Sequence, residues 1–159
     1  MRKLITIAFI LCMLLGCSAL AEEDLVTYKL DEMAYALPAS YELDFGDFDV
    51  AFYTNDSGAE LNIFISELSE EEAQVFSYEQ WNEDVYLETF TLEYRDIGDY
   101  SGVVGMNEYE YNNQTLTERV FVCLVNGKVY MVIEYIPSPT MKHFDFEEFV
   151  KTITFETEE

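Results

Sequence analysis

The Asn126-Gly127 turn is the feature that most constrains what this chain can fold into. It separates two β-forming runs, Leu116–Val125 and Lys128–Ile136. Asn and Gly both tolerate the positive φ angles that a two-residue type I′ turn requires, so the segment predicts a tight antiparallel hairpin. Both runs carry long apolar stretches instead of a clean polar and apolar alternation. Strands of this kind are usually covered on both faces, so we expect the hairpin near the centre of a sheet.

Other short stretches rich in β-branched and aromatic residues predict further strands. They are Val26–Leu30, Tyr35–Leu37, Tyr41–Leu43, Asp49–Tyr53, Glu60–Ser66, Thr91–Ile97 and Val104–Tyr111. Turn-forming residues at Asn55–Gly58 predict a second hairpin. In its second strand, Leu61, Ile63 and Ile65 alternate onto one face. Ser101-Gly102 is predicted as the turn between two of the later strands.

Two short helices are predicted in the acidic middle of the chain. Ser69 is the expected N-cap of the first helix, and Glu72 completes a capping box with it. A second helix follows, in which Tyr78, Trp81 and Val85 share one face at helical spacing. Aromatic stripes on helices mostly bury surface, so we interpret the Trp81 stripe as core packing.

A third helix is predicted near the end of the chain. Asp145 is its expected N-cap, and Lys151 suits the negative end of its dipole. Four residues mark an apolar face: Phe146, Phe149, Val150 and Ile153. A short strand at Ile153–Phe155 and a frayed tail over 156–159 complete the prediction.

These elements predict a single α+β domain over 26–155, with a mostly antiparallel sheet flanked by short helices. Half of the residues are hydrophobic, which is far from the composition of a disordered chain. Cys123 lies in an apolar strand and is expected to be a small buried residue without a disulfide partner. The fold must therefore be stable on its core alone.

The first 21 residues predict a secretory signal peptide. A basic start precedes an apolar run from Leu4 to Leu15 that is too short for a permanent membrane span. Cleavage after residue 21 fits the A-x-A pattern of Ala19–Ala21. Alternatively, the signal ends at residue 16 and Cys17 becomes the lipidated N-terminus of a lipoprotein. Both alternatives stay open, and both predict an exported protein.

The charge of the chain excludes several classes of partner. The chain has eight basic and 32 acidic residues, which give a formal net charge of −24. Removal of Arg2 and Lys3 with the signal peptide would change this charge to −26. Nucleic acid binding needs a basic surface, so we exclude it. An anionic membrane would also repel the domain, which leaves a lipid anchor at Cys17 as the expected link to a membrane.

The order of elements resembles the PsbP-like or Mog-type α/β/α sandwich of small bacterial exported proteins. The resemblance rests on a Leu-Pro step into a strand at Leu37–Glu42, a helical insert in mid-chain, three long antiparallel strands, and a final helix with Phe149 and Phe155. It covers 26–155. Most known members of that family bind other proteins and are not enzymes, and they share no catalytic signature. The resemblance therefore implies a binding role and no catalytic residue.

The sequence holds few candidates for chemistry. His143 is the single histidine, and no nucleophile elbow accompanies it, so no catalytic or cofactor-binding residue is predicted. Asp44, Asp47 and Asp49 flank Gly46 and form the best candidate for a calcium site, because calcium prefers carboxylate oxygens. The competing interpretation is a solvated acidic loop.

We therefore predict an exported, non-enzymatic binding or accessory protein of the bacterial cell envelope. Its partner would be an envelope or extracellular protein that the sequence does not identify. The alternative is a hydrolase that uses carboxylates, which would need an acid of strongly perturbed pKa in an enclosed cleft.

Overall fold

The computed structural model describes residues 24–85, 90–111, 113–137 and 144–156. The predicted signal segment 1–21, with Cys17, lies outside these ranges, as do His143 and residues 157–159 of the predicted tail. Among the described residues, no helix has the length and apolar character needed to cross a membrane.

The described residues form ten strands and three short helices. In chain order they are β1 Leu25–Leu30, β2 Met33–Pro38, β3 Tyr41–Gly46, β4 Val50–Asn55, β5 Glu60–Glu67, α1 Glu70–Val75, α2 Tyr78–Val85, β6 Thr91–Ile97, β7 Tyr100–Tyr111, β8 Gln114–Val125, β9 Lys128–Ile136, α3 Phe146–Thr152 and β10 Thr154–Phe155. The coarse prediction of a mostly antiparallel α+β fold with short helices is confirmed.

The strands form two sheets instead of one. The larger sheet has the order β3-β4-β5-β9-β8-β7-β6 and is antiparallel throughout, and the smaller has the order β1-β2-β10. The hairpin β8–β9 lies near the middle of the larger sheet, as predicted. Asn126 and Gly127 have φ angles of 50° and 77°, which confirms the positive φ values expected of its turn.

The predicted turn at Ser101-Gly102 is wrong. The turn lies earlier, where Gly98 has a φ angle of 59°, and Gly102 belongs to β7, opposite Cys123. A Cβ atom on Gly102 would lie 2.8 Å from the ring of Phe121 and 2.8 Å from the carbonyl oxygen of Val122. This glycine is therefore needed for close packing inside a strand and not for a turn.

One face of the larger sheet packs against the smaller sheet and α3. Its buried cluster includes Leu61 and Ile63 of β5, Phe121 of β8 and Val132 of β9. From the other side it receives residues of the smaller sheet and of α3: Leu30, Met33, Tyr35, Leu37, Phe146, Phe149 and Val150. The predicted apolar faces of β5 and of the last helix are therefore confirmed. Asp145 caps α3 by accepting from the backbone N–H groups of Glu147 and Glu148.

The opposite face holds a second cluster. Val120, Val122 and Ile133 alternate with the residues of the first cluster along β8 and β9. Partly buried Tyr78 and Trp81 of α2 pack against them, which confirms the core interpretation for these two residues of the stripe. The side chain of the third, Val85, lies outside the described part of the chain. The capping box at the start of α1 is also confirmed, since Ser69 and Glu72 satisfy each other's backbone N–H groups.

Candidate functional site

Exposed apolar side chains collect at the end of the sheet formed by β3. Leu43, Phe45 and Phe48 are 52%, 53% and 91% exposed. They alternate with four acidic residues in and just after the strand. We define the β3 edge surface as these seven residues: Glu42, Leu43, Asp44, Phe45, Asp47, Phe48 and Asp49. Scattered exposed apolar residues are ordinary, but three within six residues at one edge strand make this edge the candidate interaction site.

A β-bulge shapes this edge. Leu43 lies opposite Tyr53 of β4, whereas Phe45 lies opposite Phe52, so Asp44 is the extra residue between them. Tyr53 and Phe52 point to opposite faces of the sheet because they are consecutive. The bulge therefore turns Leu43 toward one face and Phe45 toward the other, and the edge is apolar on both sides.

Aromatic rings lead from this edge into the sheet. The ring centroids of Phe45 and Phe52 lie 5.9 Å apart, and those of Phe52 and Phe64 lie 5.6 Å apart. Phe52 and Phe64 are partly exposed. The three rings form a continuous apolar path across β3, β4 and β5, which extends the area that a bound partner could cover.

The predicted calcium ligands all lie on the β3 edge surface. The carboxylate of Asp44 accepts from the hydroxyl of Thr54, and that of Asp47 accepts from the backbone N–H of Phe48 at 2.8 Å. Within the described part of the chain, no three His, Cys, Asp or Glu side chains are placed to hold one metal ion. Calcium binding by Asp44, Asp47 and Asp49 stays a prediction.

Strand β6, at the other edge of the sheet, is tied to two helices. The Tyr94 hydroxyl donates to the carboxylate of Glu79 in α2 at 2.7 Å. Arg95 contacts Glu93 at 2.7 Å and Glu147 of α3 at 3.3 Å. These contacts raise the pKa of the Arg95 guanidinium. Charged and polar groups at this edge therefore satisfy one another within the molecule.

A cleft of about 480 Å3 lies beside β6, between β7 and the start of α3. Nine described residues line it: Thr91, Glu93, Val104, Gly105, Met106, Arg119, Asp145, Phe146 and Glu147. Its charged groups are already engaged, because Arg95 holds Glu93 and Glu147 while Asp145 caps α3. The cleft is therefore apolar at its base, and the acidic side chains around its opening already have partners within the molecule.

Glu134 is a fully buried acid on β9 that contacts this cleft through Arg119. The Tyr41 hydroxyl and Arg119 Nη1 each lie 3.4 Å from a carboxylate oxygen of Glu134. Burial raises the pKa of Glu134 to about 7, and Arg119 and Tyr41 offset part of this rise. A hydrolase would need such an acid, but Glu134 has no exposed surface and does not line the cleft. The hydrolase alternative stays a prediction.

Cys123 is confirmed as a buried residue without a disulfide. Burial raises the pKa of its thiol to about 12, as expected of a structural cysteine in apolar surroundings.

The main group that the sequence patterns missed is the apolar part of the β3 edge surface. Leu43, Phe45 and Phe48 alternate with acids, which is the pattern of a strand with one buried face, and neither face of this edge is buried. A signal is present in the charge pattern. No Lys, Arg or His occurs between Lys29 and Arg95, a segment that contains 17 acidic residues and includes β3, β4 and β5.

Comparison with solved protein structures identifies the type of fold. No protein-family profile and no curated protein sequence match the chain significantly. The solution structure of cyanobacterial PsbP (CyanoP) from Synechocystis is similar, with a TM-score of 0.54 and 12% identity over 88% of this chain and 97% of that one. A crystal structure of a protein from Bacteroides thetaiotaomicron gives a TM-score of 0.62 and 9% identity over 83% of this chain. This chain covers 48% of that Bacteroides protein.

These likenesses define the fold as PsbP-like, in agreement with the resemblance in element order. At such low identity they show the fold alone.

Proposed function

We propose that this chain is an exported, non-enzymatic accessory domain of the bacterial cell envelope that binds a basic protein partner. The observation that carries the proposal is the β3 edge surface, in which three exposed apolar side chains alternate with four acidic residues. A PsbP-like fold supports it, because the fold has no catalytic signature of its own. The finer arrangement expected of that fold, an α/β/α sandwich, is part of the same proposal.

The charge of the β3 edge surface favours a basic partner over an acidic one. Its acids belong to the base-free segment between Lys29 and Arg95. Lys29 itself lines a shallow pocket with Asp47 and Phe48, but its ammonium group pairs with Glu156. The field of such a segment steers cationic groups toward the edge and repels anionic ones. The apolar side chains then supply the contact area that exposed ion pairs alone do not provide.

Export and anchoring rest on the sequence of the first 21 residues. The basic start, the apolar run and the choice between Cys17 and an A-x-A site support export in either of two forms, lipidated or freely secreted. Mass spectrometry of the mature protein distinguishes them. Lipidation adds acyl chains at Cys17, whereas cleavage after residue 21 removes that residue altogether.

Site-specific photo-crosslinking tests the binding role. A photoreactive amino acid at Phe48 of the full chain, produced in cells that export it, should give an adduct with a basic envelope protein. The same amino acid at Val75, an exposed apolar position in α1, is the matched control and should give none. Equal adducts at both positions, or an adduct at Phe48 that high salt leaves unchanged, would contradict the proposal.

A further inference from the structure

Strand β3 offers backbone as well as side chains to a partner. Within the described residues it has a hydrogen-bonded neighbour on one side only, β4. Five of its six residues, Glu42 to Gly46, are exposed. An edge strand directs unpaired N–H and C=O groups away from the sheet, and such a row can pair with another strand.

Proteins usually protect an exposed edge strand with charges or a bulge, and β3 carries both. Its charges are all of one sign, because Glu42 and Asp44 have no basic counterpart on β3 or β4. Carboxylates on the strand repel a second copy of this chain, whose net charge is also −24. They do not repel a basic strand, so the protection is selective.

The side chains of the edge fit an extended segment that carries both basic and apolar residues on each of its two faces. Leu43 and Phe45 point to opposite faces because of the bulge at Asp44. An added strand presents alternate side chains to the two faces and can meet an apolar group on each. Basic side chains of the same segment can reach Glu42 and Asp44, and the exposed ring of Phe48 offers a face for a cation–π contact.

We propose that β3 binds a basic, extended segment of a partner protein as an added strand of the sheet. This inference rests on the proposed function and specifies its partner and its mode of binding. Backbone hydrogen bonds would supply affinity, and the alternating apolar and acidic side chains of the β3 edge surface would supply selectivity.

The length of β3 sets the extent of the pairing. β3 has six residues, so we expect an added strand of about five or six residues. The bulge between Leu43 and Phe45 interrupts the regular ladder, so we expect the pairing to be weakest at Asp44.

Titration calorimetry with synthetic peptides tests this inference on the mature chain. The probe is a peptide about six residues long in which two lysines alternate with two valines, so that each face of the strand carries both residue types. The controls are the same peptide with glutamate in place of lysine, and the lysine peptide with alternate backbone nitrogens methylated. We expect binding of the lysine peptide at low salt, no measurable binding of the glutamate peptide, and about tenfold weaker binding after methylation.

Variants of the chain locate the binding. Phe45→Thr removes the ring but keeps a good strand former, and it should weaken binding about tenfold. Asp44→Asn with Asp47→Asn should weaken it several-fold and flatten its salt dependence. Glu70→Gln with Glu71→Gln removes the same charge from α1 within the same base-free segment and should leave binding unchanged.

Each result supports or overturns the inference. Equal binding of the methylated and unmethylated lysine peptides would overturn strand addition, and so would full binding by Phe45→Thr. A dimer of the chain alone that Phe45→Thr dissolves would make a second copy the occupant and overturn the basic partner. The crosslink at Phe48 is an independent readout. If it forms while the lysine peptide fails to bind, the proposed function stands and strand addition fails; if both are absent, both fail.

Discussion

The two edges of the larger sheet are built differently. At β6, Tyr94 and Arg95 are occupied by contacts with α2 and α3, so the edge is integrated into the fold. At β3, the residues after Tyr41 are exposed, apolar and acidic in alternation, and no described helix packs on them. The comparison teaches that exposed side chains at β6 are held by contacts within the molecule, whereas we infer that those at β3 are available for binding.

The largest effect on stability is expected from loss of the hydrogen bonds between α2 and Phe90, the residue just before β6. Asn82 of α2 is buried, and its side chain donates to the carbonyl oxygen of Phe90 at 2.8 Å and accepts from its N–H at 2.9 Å. Asn82→Ala removes both of these buried hydrogen bonds, so we expect a loss of about 3 kcal/mol in the free energy of unfolding. Denaturant unfolding measures it.

Asn82→Asp is the matched control for this substitution. It keeps an acceptor for the Phe90 N–H but puts a buried carboxylate against the Phe90 carbonyl oxygen, so it should lower stability at least as much as Asn82→Ala. A change of less than about 0.5 kcal/mol in Asn82→Ala would contradict the claim that this contact holds the β6 side of the sheet.

The second prediction concerns Glu134, whose contact with Tyr41 lies at the start of β3. Its pKa is about 7 in the folded chain, against 4.5 for an ordinary glutamate. The folded state therefore holds its proton more tightly than the unfolded state does. The stability from this group is complete below pH 4.5 and is lost as pH rises to about 7, with a loss of about 2–3 kcal/mol.

The measurement is the free energy of unfolding between pH 4.5 and 8 for the natural chain and for Glu134→Gln. The variant removes the titrating group, so the difference in stability between the two proteins should change over this interval. The groups that face Glu134 are Tyr41 of β3 and Arg119 of β8. Parallel pH profiles for the two proteins would show that Glu134 does not titrate as described.

Much of this architecture is predictable from sequence, for identifiable physical reasons. The hairpin β8–β9 follows from local turn chemistry at Asn126-Gly127, and the helix starts follow from side-chain caps at Ser69 and Asp145. These signals lie within a few residues of the structures that they specify. The apolar alternation of β5 is equally local.

The features that sequence patterns missed depend on contacts between distant residues. Gly102 is a turn former by composition, but it lies in β7 because Phe121 of β8 leaves no room for a Cβ atom. The two residues of β10 pair with Ala34 and Met33 of β2, which are far away in sequence. No local sequence pattern therefore indicates that these strands form a separate, smaller sheet. The bulge at Asp44 is likewise fixed by pairing with β4.

The third prediction is a smaller effect on the β6 side. The Tyr78 hydroxyl donates to the carbonyl oxygen of Ser101 at 2.7 Å and accepts from the N–H of Leu124 at 3.1 Å, joining α2 to β7 and β8. Tyr78→Phe keeps the ring and removes these bonds, so we expect a loss of about 1–2 kcal/mol. Thermal unfolding measures it, and an unchanged midpoint would contradict the role of this hydroxyl.

The smallest effect on stability is expected at the β3 edge surface. Leu43→Thr and Phe45→Thr replace half-exposed side chains by a residue that favours strands, so each should change the free energy of unfolding by less than about 1 kcal/mol. These variants should weaken peptide binding with little effect on stability. Asn82→Ala should do the opposite, lowering stability strongly without weakening peptide binding. A loss of several kcal/mol in either edge variant would show that these side chains belong to the core.

Hydrogen exchange of the backbone amides in the presence of the lysine and valine peptide tests the central claim most directly. The account predicts that saturating peptide slows exchange in β3, over Tyr41–Gly46, and leaves β6, over Thr91–Ile97, unchanged. Unchanged exchange in β3, or equal slowing at both edges, would contradict it.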